Sequence, residues 1–141
     1  MIRKIGAVVD EMQLRQDLER YQTQILELGA AAVKIIAAAE IPVDDRVILK
    51  CQIPRCFGYG TSAHCPPNTM KPGELRELLK KYQWALFFTY HVPPEVIVRD
   101  KATIKERISA YRKVYDIVSK TESAAFYDGY YWHMTHLKRS S

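Results

Sequence analysis

All three cysteines of the chain fall within CQIPRCFGYGTSAHCPP, residues 51–67, at the spacing Cys51-x4-Cys56-x8-Cys65. Thiolates are soft ligands, so such a cluster favours Zn²⁺, Cu(I) or an iron–sulfur centre over Mg²⁺ or Ca²⁺. The residues between them suit a loop wrapped around a metal. Gly58 and Gly60 flank Tyr59, and glycine admits positive φ, which lets backbone N–H groups turn inward. Donors of that kind hydrogen-bond cluster sulfurs and tune their reduction potential. Pro66 follows Cys65, as a proline follows a cluster-binding cysteine in bacterial ferredoxin loops. The spacing itself is neither the ferredoxin pattern nor the paired C-x2-C of zinc ribbons. Three packed, inert thiols would have the same composition, because free cysteine is among the most buried residue types. The Gly/Pro setting favours the metal.

A tetrahedral site needs a fourth ligand, and histidine is the usual supplement. His64 adjoins Cys65, His91 ends an apolar run, and His133 and His136 have the i, i+3 spacing of a separate two-nitrogen site. Each also suits an ordinary surface or core position. No glycine-rich phosphate loop with a following lysine and no nucleophile elbow occurs. A Cys–His91 nucleophile–base pair has no local context to support it. No catalytic residue is assigned, and whether the chain is an enzyme stays open.

The whole chain bounds these readings. Its 141 residues suffice for one domain with its own core. The longest apolar runs fall far short of the roughly 18 residues of a membrane span, so no membrane partner is expected. The start, MIRKIGAVVDEMQLRQDLER, turns acidic after a brief apolar run and does not read as a signal peptide. The expected location is the cytoplasm, where thiols are kept reduced and clustered cysteines serve metals or redox chemistry. The net charge of +5 includes Lys101, Lys105, Arg107, Arg112 and Lys113 on one expected helix. Asp100, Glu106 and Asp116 interrupt that run, which points to a solvated helix face, and nucleic acid is not the favoured partner.

The elements that must position the cysteines follow from periodicity. Leu14, Leu18, Tyr21, Ile25 and Leu28 make one apolar stripe of a helix over residues 10–28, with Gly29 as its stop. A short strand is expected over residues 32–36, rich in β-branched residues. Asp44 suits the cap of a short helix into VILK. A second helix starts at Pro72, with Leu75, Leu78, Leu79 and Tyr82 on its buried side. WALFFTYHV, residues 84–92, reads as a strand buried on both faces. The third and longest helix begins near Thr103, where Thr103 to Glu106 fits a capping box. Its core stripe is read as Ile104, Ile108, Tyr111, Tyr115 and Val118, and it continues through ESAAFYDGYYW. Ala124, Ala125 and Gly129 there would allow a close approach. The expected fold is a small two-layer α/β (or α+β) domain over residues 1–141, three main helices on a short sheet.

KCQIPRCFGYGTSAHCPP, followed by a Leu-rich helix and an aromatic strand, resembles an uncharacterised cysteine-rich family of predicted metal-binding proteins. ESAAFYDGYYW, residues 122–132, resembles that family's second signature, so the likeness covers nearly the whole chain. The resemblance implies metal binding through Cys51, Cys56 and Cys65, in an iron–sulfur cluster in preference to zinc, for electron transfer or redox sensing. It implies no known reaction. Family members usually continue past the second signature with further cysteines, whereas here HMTHLKRSS follows Trp132. The expectation is therefore a shortened member with an incomplete metal site, able to lack metal altogether. The face thereby left open would form a homo-oligomer. A metal-free assembly module is the contrasting reading.

Overall fold

The computed structural model describes residues 9–97 and 103–130. The chain forms two compact units: Met1–Ile35 with Leu86–Ser141, and Ile36–Ala85. Five α-helices and one two-stranded antiparallel sheet, with two short 3₁₀ turns at Ala38–Glu40 and Asp45–Ile48, make up the described structure, the helices and strands in the order α1 (Glu11–Glu27), β1 (Ala32–Ala37), α2 (Leu49–Gln52), α3 (Pro72–Leu79), β2 (Trp84–Thr89), α4 (Pro94–Ile97) and α5 (Ile104–Tyr127). This is a small α/β arrangement, as its element order implied. No helix among the described residues is long and apolar enough to cross a membrane.

In the first unit, Asp10 caps α1 by accepting a hydrogen bond from the Gln13 N–H at 2.8 Å. Gly29, at φ +111°, ends the helix: the Gly29 N–H reaches the Leu26 carbonyl and the Ala30 N–H the Ile25 carbonyl. That pair of bonds is the Schellman closure, which needs a left-handed residue. α5 ends in the same way at Gly129, φ +93°, with Gly129 bonded to Phe126 and Tyr130 to Ala125. Ile25, Ala30 and Ile117 form the core, and Leu28, Val33, Leu86, Phe88 and Tyr90 pack against it.

α5 presents a different face from the one its periodicity suggested. Ile104, Ile108 and Tyr115 are 36–45% exposed, whereas Arg107 and Ile117 are buried. The helix carries two apolar stripes about one position apart, and the one with smaller side chains at Ala110, Val114 and Thr121 turns inward. Arg107 is consequently not on a solvated face; Lys105, Arg112 and Lys113 are, and Lys101 lies outside the described residues. The expected capping bond at Thr103 is not made. Its backbone, at φ −104° and ψ 12°, lacks the extended conformation from which an N-cap side chain reaches back.

β2 is shorter and less enclosed than expected. It stops at Thr89, where the Ala31 N–H donates to the Thr89 carbonyl at the end of the ladder. Phe87 and Thr89 are exposed while Leu86 and Phe88 pack inward.

A buried carboxylate ties α1 to the end of α5. Asp17, 2% exposed, accepts hydrogen bonds from Gln13 Nε2 (3.2 Å), Arg20 Nη2 (2.9 Å) and the Tyr130 hydroxyl (2.6 Å). Arg20 Nη2 and the Tyr21 hydroxyl both donate to Asp128 Oδ2, at 2.8 and 2.5 Å. The Tyr21 and Tyr130 rings meet edge to face, 6.2 Å between centroids. The second signature therefore has a structural use here: Asp128-Gly129-Tyr130 ends α5 and anchors it to α1.

Burial, then the Asp128 carboxylate, raises the Tyr21 pKa above its ordinary 10.0. Burial also pushes Asp128 up, but the bonds from Tyr21 and Arg20 outweigh it and hold the carboxyl below its ordinary 3.8. A depressed acid stabilises the fold above its unfolded pKa and loses that contribution as pH falls through the folded value. Tyr21, being raised, contributes below 10.0 and loses its share only as pH rises further. Asp128→Asn should thus lower stability at pH 7 by about 1–3 kcal/mol. Thermal melts of the variant should lose less stability than the parent below pH 4, and identical acid limbs would contradict this account.

Candidate functional site

The cysteine loop, residues 51–67, lies wholly within the second unit, beginning on α2 and ending ahead of α3. Its entry is set by the segment before α2. Asp44 accepts the Arg46 N–H and caps a 3₁₀ turn over Asp45–Ile48, which runs directly into α2. The Arg46 guanidinium also grips the Asp44 carboxylate (2.6–3.1 Å) and draws its pKa down to about 2. From α3, Arg76 reaches the Val43 carbonyl with Nε and Nη2 (3.3 and 3.2 Å) and Asp45 with Nη2. This arginine holds the loop's entry against the helix at its exit.

α3 begins at Pro72, where the absent N–H costs no helical bond, and Glu74 accepts the Lys71 N–H at 2.8 Å. Ala38 and Leu75 are the buried apolar residues of this unit.

Between these supports the loop is knitted by backbone bonds. The Cys56 N–H donates to the Cys51 carbonyl (2.9 Å), Tyr59 to Cys56 (3.0 Å), and Thr61 to Gly58 (3.1 Å). The Gly60 N–H crosses to the Pro66 carbonyl at 2.7 Å, and both Asn68 and Thr69 donate to the Cys65 carbonyl. The Thr61 hydroxyl adds a 2.7 Å bond to the Gly58 carbonyl. Arg55 stacks its guanidinium over the Tyr59 ring at 4.7 Å. The N–H groups of residues 59–61 are thus committed to carbonyl oxygens rather than turned toward sulfur.

The two glycines divide their roles otherwise than composition suggested. Gly60 alone in the loop has a left-handed backbone, φ +75°, with open space around its α-carbon. Gly58 has an ordinary φ, and what it provides is room. A Cβ there would lie 3.5 Å from Cys65 Sγ and 3.8 Å from Cys56 Sγ, with Thr61 Oγ1 next at 3.9 Å. Two sulfurs nine residues apart in sequence therefore converge on one space that a side chain would fill. Neither spacing nor composition signalled that convergence.

Cys51 sits on α2 and joins the group through its backbone carbonyl, and its sulfur is not one of the three atoms nearest the Gly58 Cβ position. All three cysteines are half-buried and none is in a disulfide. Among the described residues, no three His, Cys, Asp or Glu side chains are gathered in a metal-holding group. The donors are soft thiols, and the space beside Gly58 is open to the Cys56 and Cys65 sulfurs.

The two histidines among the described residues, His64 and His91, fall in different units. His64 is exposed in the loop, its N–H donating to Ser62 Oγ at 3.3 Å. His91 is exposed in the other unit, where it lines an open groove of about 540 Å³ with Lys105, Glu106 and Lys113. His133 and His136 lie outside the described residues. A larger open groove, about 750 Å³, runs along α3 past Asn68, Met70, Glu74 and Glu77, and no cysteine lines it.

The glycine geometry makes a direct prediction. Gly60→Ala should cost about 1–2 kcal/mol, because a Cβ disfavours the left-handed backbone. Gly58→Ala should stay within about 1 kcal/mol of the parent, since its Cβ meets only ordinary contact distances. Chemical denaturation of both variants checks the order, and a Gly58 variant less stable than the Gly60 one would contradict it.

A family model described as Predicted metal-binding protein (DUF2284) matches residues 34–140, well over half of the chain. α1, which carries Asp17, precedes the matched stretch. No curated protein and no solved structure matches the chain.

Proposed function

This chain belongs to the predicted metal-binding family DUF2284, and on that premise we propose that the loop over residues 51–67 is its metal site. Cys56 and Cys65 are the paired ligands, and Cys51, one backbone bond away, is the third. The observation that carries the reading is the shared space beside Gly58, open to both sulfurs. The exposed His64 is the nearest candidate in sequence for a further ligand, and His91, His133 and His136 are the more distant ones.

Thiolate ligands select among a few centres. An iron–sulfur cluster is preferred for the half-buried, turn-rich loop, and it would supply one-electron chemistry for electron transfer or redox sensing in a reducing compartment such as the cytoplasm. Zinc, tetrahedral and redox-inert, is the alternative and would make the loop a structural clip. In either case the protein's own contribution is the same. Arg76 holds the approach to α2, and the Gly60–Pro66 bond joins the two turns that carry Cys56 and Cys65.

Anaerobic purification followed by iron, zinc and sulfide analysis tests this directly. Metal should be present at a fixed ratio and weaken by more than about tenfold in Cys56→Ser and in Cys65→Ser, a loss of about 1.4 kcal/mol or more. Gly58→Ala should fold yet bind metal less well. Metal-free protein from anaerobic cells, with a folding and oligomeric state indifferent to loss of all three cysteines, would instead favour a metal-free assembly module.

A second reading concerns assembly. Ile104, Ile108 and Tyr115 form an exposed apolar stripe along α5, and such stripes at steps of four and seven can pair with their own copy. Self-association through this stripe should make sedimentation concentration-dependent, and Ile108→Glu should abolish that dependence. A parent chain that stays monomeric at high concentration removes the proposal.

A further inference from the structure

We infer that Cys56 and Cys65 are also a dithiol–disulfide pair, so that a peroxide closes the loop's sulfur-lined space and a thiol reductant reopens it. The pairing rests on one geometric observation: both sulfurs lie within 3.8 Å of the point a Gly58 Cβ would occupy, and the Cys51 sulfur is not among the three atoms nearest that point. Sequence order alone would favour Cys51 with Cys56, the closer pair. The Cys56 N–H to Cys51 carbonyl bond keeps that pair close as well, but it is the Cys56 and Cys65 sulfurs that face one space beside Gly58, on turns bridged by the Gly60–Pro66 bond.

Several features make the step feasible. The two thiols are half-buried, so a small oxidant can reach them, and neither is already in a disulfide. Residue 58 has no side chain between them, and disulfide geometry demands that Cβ atoms approach to about 4 Å. The loop is made of turns rather than helix or strand, so a backbone adjustment that brings the two Cβ atoms to that distance breaks no helix or sheet hydrogen bonds.

The step balances with hydrogen peroxide as oxidant. One thiolate attacks the peroxide, an S–O bond forms, the O–O bond breaks, and the departing hydroxide takes a proton to become water. The second thiolate then attacks that sulfenic sulfur, an S–S bond forms, the S–O bond breaks, and a second water leaves. Two thiols give up two electrons and two protons, and one peroxide becomes two waters. A disulfide can no longer offer two thiolates, so oxidation would expel any metal held there. That last consequence rests on the metal reading above, whereas the pairing itself does not.

The test is peroxide treatment of the full chain, as isolated and after chelation, followed by non-reducing peptide mapping and metal assay. Expected is one intramolecular disulfide joining Cys56 to Cys65, with Cys51 still open to alkylation. It should form in Cys51→Ser, be lost in Cys56→Ser and Cys65→Ser, and be reversed by dithiothreitol. Metal, where present, should appear in solution in step with the disulfide. A dominant disulfide to Cys51, only intermolecular links, or over-oxidation without a disulfide would overturn the pairing. Metal retained after the disulfide forms would overturn its regulatory role. A disulfide in a chain that never binds metal would sink the metal reading and leave the pairing intact. Bound metal with no Cys56–Cys65 bond would do the reverse.

Discussion

A two-stranded sheet is marginal in water by itself, because each strand has one bare edge and at most one covered face. That constraint governs the first unit of this protein. Its strands hold because Leu86 and Phe88 from β2 and Val33 from β1 pack on a core shared with Ile25 of α1 and Ile117 of α5. The helices must then be locked to each other, and the Asp17–Tyr130 and Tyr21–Asp128 bonds do so at a position fixed by the Gly129 turn. A buried carboxylate is costly unless each oxygen finds a donor. Asp17 has donors on both oxygens, so the polar lock also fixes which end of α5 meets α1.

The second unit solves a different problem. Residues 51–67 lie mostly outside helix and sheet, so their backbone groups need partners from turns. The loop obtains them from bonds among its own residues, while Arg76 secures the approach to α2. Two thiols can then converge without regular structure beneath them. The arrangement proposed to hold a metal is also the one proposed to pair two oxidisable sulfurs, and both proposals use the missing side chain at Gly58.

Much of this was legible in one dimension. The stop of α1 at Gly29, the start of α3 at Pro72 and the cap at Asp44 follow from local rules that need no tertiary partner, whereas α5 ends at Tyr127 in the left-handed turn at Gly129, short of the run expected through ESAAFYDGYYW. The burial pattern of α5 and β2 did not follow. Two apolar stripes of similar strength coexist on α5, and only the packing partner decides between them. A continuously apolar strand looks doubly buried until the number of its neighbours is known. The polar lock was hidden for the same reason: Asp17 and Asp128 lie more than a hundred residues apart, and periodicity carries no information about such pairs.

The sequence by itself determined the chemistry available: three soft ligands confined to one Gly/Pro-rich loop, in a family of predicted metal-binding proteins. Tertiary structure alone decided their grouping. It set Cys56 and Cys65 around one space, left Cys51 on a helix beside them, and kept His64 and His91 at the surface. The physical reason is that spacing constrains how far apart two side chains can be, whereas the turns and their hydrogen bonds determine where those side chains meet.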